Sequence, residues 1–166
     1  MKRNYSAILL VFLAMLVLPG IINAEPVKAE STSSIQINTS NGVIKLDSLK
    51  GQVVYLDFWA SWCAPCKKSF PWLNQIHTKY GEQGFKVIAV NLDRDQELAK
   101  RFLKHHPAKF EIGYDPEGKI ASQLKVQGMP SSFLIDRKGN IVSSHVGFKE
   151  KNIKSLEAEI ESLLSK

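Results

Sequence analysis

The sequence predicts an α/β domain with a central mixed β-sheet flanked by helices, and three observations carry that reading. Two near-continuous apolar runs, at 52–60 and 85–92, have the composition of strands buried on both faces. An amphipathic helical stretch separates them, and strand, helix and strand at this spacing form a right-handed parallel crossover. Alternating segments at 34–46 and 131–145 add antiparallel hairpins before and after that unit. The chain has 166 residues, 44% of them apolar, which is enough for one domain around one packed core.

The first 24 residues read as a targeting segment. Lys2 and Arg3 precede an unbroken apolar run at 7–18, Pro19-Gly20 breaks any helix, and Asn23-Ala24 offers a small residue for cleavage. Extended through Ile22, the run approaches the lower limit of a membrane span, so a cleaved signal and an uncleaved anchor both remain open. Either way the basic end stays inside and the domain is exported, to a periplasm or the outer face of the cytoplasmic membrane. Residues 25–33 are small and polar and read as a linker to a domain at 34–166.

Within that domain, Ile35 and Ile37 before Asn41-Gly42, and Ile44 and Leu46 after it, predict a β-hairpin. A buried strand follows at 52–60. A helix begins near Cys63, with Phe70, Leu73, Ile76 and Tyr80 on its inner face. Pro71 is expected to kink this helix and leave Trp72 exposed, and Gly81 and Gly84 end it. After the strand at 85–92, a helix at 96–105 turns Leu98 and Phe102 inward. A short strand at 110–114, a short helix at 117–124, strands at 131–135 and 140–145, and an amphipathic C-terminal helix carrying Ile153, Leu156, Ile160 and Leu163 complete the order.

The net charge is +6, and loss of Lys2 and Arg3 with a leader lowers it by two. The remaining basic residues are dispersed and not interleaved with aromatics, which argues for a solvated surface and against a nucleic-acid partner. A membrane enters only through the N-terminal segment if it is uncleaved. Of the four histidines, His77, His105 and His106 are expected in solvent and His145 on a strand, none spaced to work with a cysteine. No metal site and no cofactor are expected.

The two cysteines, Cys63 and Cys66, lie in one four-residue stretch where a buried strand turns into a helix. A four-thiolate zinc site is impossible within one chain. A structural disulfide would close a tiny loop, worth only about 2 kcal/mol. At a helix start, unpaired backbone N–H groups favour a thiolate, so Cys63 is the expected nucleophile. Cys66, one turn on, is placed to resolve the mixed disulfide. Pro65 fits the first helical turn, where its missing N–H costs little.

The run Phe58-Trp59-Ala60-Ser61-Trp62-Cys63-Ala64-Pro65-Cys66-Lys67-Lys68 resembles the thioredoxin active site, and Gly128-Met129-Pro130 resembles that family's cis-proline loop. Asn41-Gly42-Val43-Ile44-Lys45-Leu46 and Phe133-Leu134-Ile135-Asp136-Arg137-Lys138-Gly139-Asn140-Ile141 resemble the exported TlpA, ResA and CcmG (DsbE) branch, as do the extra helix and strand between Asp93 and Tyr114. The resemblance implies a thioredoxin fold with an N-terminal β-hairpin extension and an inserted helix–strand. It implies that Pro130 is cis and faces the cysteines, with the Met129 backbone turned toward a substrate strand. Trp62, Ala64, Pro65 and Gly128 would then contact substrate, Trp62 covering the disulfide, while Trp59 is structural. Asp57 matches the buried aspartate of thioredoxin, a carboxyl group able to take the Cys66 proton; pairing to a lysine or to backbone is its plainer role. Many ResA-like chains carry a glutamate three residues after the second cysteine, where this one has Ser69.

The function these features predict is disulfide reduction outside the cytoplasm, on an exported protein carrying a disulfide. Re-reduction by a membrane thiol donor follows, because cytosolic thiol systems do not reach that compartment. Cytochrome c maturation is a common role in the branch. A disulfide oxidant or isomerase, and a non-enzymatic metal-binding or assembly module on the same fold, are the alternatives.

Overall fold

The computed structural model describes residues 32–166. The expected leader or anchor at 1–24, and the linker as far as residue 31, lie outside the described residues. Seven strands and four helices follow in the order β1 (Gln36–Thr39), β2 (Gly42–Lys45), β3 (Val53–Trp59), α1 (Ala64–Tyr80), β4 (Phe85–Asn91), α2 (Gln96–His105), β5 (Glu111–Tyr114), α3 (Lys119–Gln123), β6 (Ser131–Ile135), β7 (Ile141–Val146) and α4 (Ile153–Leu164). The elements match the sequence reading to within one or two residues at most ends, and this is a thioredoxin-like α/β fold. Among the described residues no helix is long and apolar enough to cross a membrane.

The sheet order is β2-β1-β5-β4-β3-β6-β7. β3, β4 and β5 run parallel, while β6 and β7 add antiparallel at one side and the β1–β2 hairpin at the other. β3 is central and buried along its whole length. Alternation along it divides the core in two. Val53, Tyr55 and Trp59 face α1, α2 and α4, meeting Phe70, Leu73, Ile76, Phe102, Leu156 and Ile160. Val54, Leu56 and Phe58 face the opposite layer, closed by Ile37, Leu46, Leu49, Ile120, Leu124 and Phe133.

The N-terminal hairpin is seated by a close approach. β1 pairs with β5 through Thr39 opposite Gly113, and a Cβ added to Gly113 would overlap Ile37 Cγ2. Gly113→Ala is therefore expected to cost about 1–3 kcal/mol by overpacking. The readout is the denaturant midpoint; an unchanged midpoint would show that the hairpin yields easily.

Two expectations are corrected. Trp72 is buried, with its ring edge-on to Tyr55 and its Nε1–H donating to Glu157 Oε1 at 3.3 Å. Pro71 lies inside a helix that runs unbroken to Tyr80 and occupies its exposed side, so the next residue faces inward. On α2 the inward residues are Ala99 and Phe102, with Leu98 only half-buried at the margin.

One end of the sheet is tied together by backbone carbonyls. Arg137, in the β6–β7 turn, donates to the carbonyls of Gly51 (2.6 Å), Gln83 (3.3 Å) and Leu164 (3.2 Å). Thr32 is buried at this end, its hydroxyl donating to Gly139 O at 2.8 Å.

Candidate active site

At the other end of β3 the chain leaves the sheet through Ala60, Ser61 and Trp62 and enters α1 with Cys63 as its N-cap. Cys63 and Cys66 are joined in a disulfide, Cα to Cα 5.3 Å. The Cys66 N–H points at Cys63 Sγ, 3.3 Å away, and Pro65 sits in the first turn. That first turn contains no acidic residue. Its free N–H groups and the positive end of the helix favour negative charge on Sγ once the disulfide is opened. Cys66 is 0% exposed and Cys63 4% exposed, so of the two only Cys63 keeps contact with solvent. Trp62 stands beside it, 70% exposed.

The approach to Cys63 is held by a clamp that the sequence reading missed. Buried Asp93, just beyond β4, accepts the Ser61 N–H (2.9 Å) and the Asn91 side-chain amide (2.8 Å) on Oδ2, and the Ser61 hydroxyl (3.0 Å) on Oδ1. The visible signal is a polar pair, Asn91 and Asp93, ending an apolar strand. Asp93→Ala is expected to loosen the Ser61–Trp62 turn and cost roughly 1–3 kcal/mol through the amides left unpaired. Faster hydrogen exchange at Ser61 and Trp62 would report it, and native protection there would contradict it.

The loop before β6 lies alongside. The Met129–Pro130 peptide bond is cis. Pro130 is buried, and its carbonyl accepts from Gly147 N–H at 2.7 Å. Ser131 Oγ donates to the Gly128 carbonyl at 2.6 Å. Met129 is half-buried and makes no hydrogen bond among the described residues. Val146, 67% exposed, flanks Gly128, and a cleft of about 350 Å³ lined by Leu124, Val126, Phe133 and Val146 opens next to it.

Asp57 lies between Tyr55 and Trp59 on β3, which directs it to the layer that holds both cysteines. It is 2% exposed, and its Oδ2 is sealed from solvent without a hydrogen-bond partner. Burial alone raises its pKa well above the ordinary carboxylate value. Its neighbours across the sheet are Ala89 on β4 and Ser132 on β6, so neither strand supplies a pairing lysine.

Ser69 is buried, its hydroxyl donating to Cys66 O at 3.0 Å. The surface at this position is therefore closed by a neutral residue. Trp59 is a core residue, held between Phe70 and Phe102. His77, expected in solvent, is half-buried against Phe110 with Nδ1 unpartnered. Among the described residues no group of three or more His, Cys, Asp or Glu is arranged to hold a metal ion.

This site matches known proteins. The Redoxin family model covers residues 25–160. A thiol-disulfide oxidoreductase ResA of Bacillus cereus is 39% identical over 108 residues, 65% of this chain and 62% of that protein. ResA of Bacillus subtilis is 32% identical over 110 residues, 66% of this chain and 62% of its own length. The chain thus matches less than two thirds of these relatives. Among solved structures, a candidate thiol:disulfide interchange protein DsbE from Chlorobium tepidum is 46% identical with a TM-score of 0.79, covering 82% of this chain and 96% of that one. A candidate protein disulfide isomerase from Bacteroides thetaiotaomicron is 31% identical with a TM-score of 0.75, covering 83% and 90%. With a disulfide at the start of α1, a cis-proline loop beside it and these matches, the chain belongs to the Redoxin family as a thioredoxin-fold relative of the TlpA, ResA and DsbE thiol–disulfide oxidoreductases.

Proposed function

We propose that the protein is an extracytoplasmic thiol–disulfide oxidoreductase that reduces disulfides in exported proteins. The observation that carries this reading is a disulfide at the N-terminus of a helix, of whose two residues only Cys63 keeps contact with solvent. In the reduced enzyme, the Cys63 thiolate attacks a substrate disulfide and a substrate thiolate leaves. Asp57 takes the proton of Cys66, whose sulfur then attacks Cys63 Sγ. The second substrate thiolate leaves, and the enzyme is left with its own disulfide. Two electrons have passed to the substrate, and a membrane thiol donor returns them. Trp62, Ala64, Pro65, Gly128 and Met129 form the contact surface. The unpaired backbone of Met129 offers an extended substrate β-type hydrogen bonds. Pro130 closes the site beside the cysteines.

Export through the 1–24 segment fits the donor requirement, because only an extracytoplasmic enzyme lacks cytosolic reductants. Cytochrome c maturation is the narrower role we favour, by likeness to the ResA and DsbE relatives. The test is the equilibrium of the Cys63–Cys66 pair with glutathione. No histidine or other cation lies between the cysteines to hold the reduced form. A potential near that of thioredoxin, about −270 mV, is expected. A potential near the about −120 mV of a strong oxidant would replace the reductase reading with the oxidant or isomerase one.

A further inference from the structure

The surface around Cys63 is divided by charge. Three segments meet on the cis-proline side: the start of α1, the loop at 124–130, and the chain at 146–152 that follows β7. Gly147 N–H donates to Pro130 O at 2.7 Å, and a Cβ on Gly128 would lie 3.6 Å from Val146 Cγ1, so the second and third segments touch. Phe148 packs on Trp72, which brings the third against α1 as well. Together they carry Lys67, Lys68, Lys125, Lys149 and Lys151, all exposed, against a single carboxylate, Glu150. The β4–β5 side is the reverse. Residues 92–97 and 114–119 hold five carboxylates against Arg94 and Lys119.

The two sides also differ in how their charges are used. Asp93, Asp95 and Asp115 accept backbone N–H groups, and Glu97 and Glu117 pair with Lys100 and Lys119. Among the described residues neither Lys149 nor Lys151 is in an ion pair. The relief of the surface follows the charge. Val146 forms a ridge, 67% exposed, with a cleft on each side. One, of about 350 Å³, runs over Val126 and Phe133 and has Lys125 on its wall. The other, of about 430 Å³, has Leu156 at its base and is edged by Lys149 and Lys151. An extended chain advances about 3.3 Å per residue. A substrate strand paired with the Met129 backbone therefore crosses Val146 within roughly four residues of its cysteine.

We propose that the cis-proline side of the site recognises acidic polypeptide: its preferred disulfides have aspartate or glutamate close to the attacked cysteine, laid across Val146 between Lys125 and the Lys149–Lys151 pair. The inference rests on the reductase reading and the Met129 pairing proposed above. One exposed carboxylate–lysine pair is weak by itself. Several acting together raise the rate of encounter and favour one orientation of the bound chain. The carboxylates of the β4–β5 side repel the same segment, so the acidic flank of a substrate is directed to one side of Cys63 only. The apolar ridge supplies contact area, and the lysines around it supply the choice of partner.

The test is reduction, by the reduced full chain at low salt, of two synthetic peptide disulfides that differ only in having glutamate or lysine beside each cysteine. The proteins compared are wild type, Lys149→Glu/Lys151→Glu and Lys109→Glu/Lys138→Glu. Lys109 precedes β5 and Lys138 lies in the β6–β7 turn, both exposed at the opposite end of the sheet, so the two variants change net charge equally. Wild type and Lys109→Glu/Lys138→Glu are expected to favour the glutamate peptide about tenfold in kcat/KM. Lys149→Glu/Lys151→Glu is expected to lose or invert that preference, and about 0.5 M salt to bring wild type close to parity. Equal kcat/KM for the two peptides in wild type, or a preference for the lysine peptide, overturns the inference and leaves the reductase reading standing. A preference that survives in Lys149→Glu/Lys151→Glu, or that both variants lose equally, also overturns it. Reduction of neither peptide removes the reductase reading and the inference with it.

Discussion

Cys66→Ala is expected to convert the protein into a trap that accumulates a stable mixed disulfide through Cys63, whereas Cys63→Ser reduces nothing. The difference follows from burial. An external disulfide meets the Cys63 sulfur, at the helix start and next to exposed Trp62; Cys66 has no surface for it to reach. Without Cys66 no second sulfur lies one turn away to resolve the adduct. Turnover should fall on the order of 10³-fold or more in either variant, as loss of a nucleophile does elsewhere. Only Cys66→Ala should yield a covalent adduct, and mass spectrometry of that adduct would identify the natural partner. Adducts forming equally through Cys66 in Cys63→Ser would show that the two sulfurs are interchangeable, against the assigned order.

Asp57→Asn is expected to stabilise the oxidised protein at neutral pH while slowing it. Burial raises the Asp57 pKa, so the folded protein holds a proton that the unfolded chain begins to release near the ordinary value of 3.8. Below that pH both states are protonated and burial carries no ionisation penalty. Above it, stability falls as pH rises, by about 1.4 kcal/mol per unit, until the folded-state pKa is reached. Asparagine has no proton to lose. The stability difference between Asp57→Asn and wild type should therefore grow between pH 4 and the folded-state pKa. Any constant effect of the amide shifts the whole curve and leaves its slope alone. Denaturant unfolding across pH 4 to 8 reads this directly, and a flat difference would mean that Asp57 ionises freely in the fold. Loss of the general base should slow resolution of the mixed disulfide on the order of 10²-fold.

Local chemistry was readable where one signal dominated. The strands at 52–60 and 85–92 announced themselves because both faces are buried, so nearly every residue is apolar. The helix at 96–105 was placed by its apolar spacing, although the structure turns Ala99 and Phe102 inward and leaves Leu98 at the margin. Cys63, Cys66 and the Gly128–Pro130 loop stood out as motifs. What failed was geometry that composition does not encode. Pro71 suggested that Trp72 would be exposed, but Pro71 itself takes the exposed side of α1, so Trp72 packs against β3. The insertion of β1 beside β5 depends on Gly113, an isolated glycine with nothing around it to mark a close approach. The Asp93 clamp depends on β3 and β4 lying side by side, which joins residues distant in sequence.

Thr32, the first described residue, is bonded to the turn after β6, while the cis-proline loop stands before the same strand. The five residues of β6 span about 17 Å and separate the two. A hold on the domain at Thr32 is therefore a hold at the pole opposite the cis-proline loop.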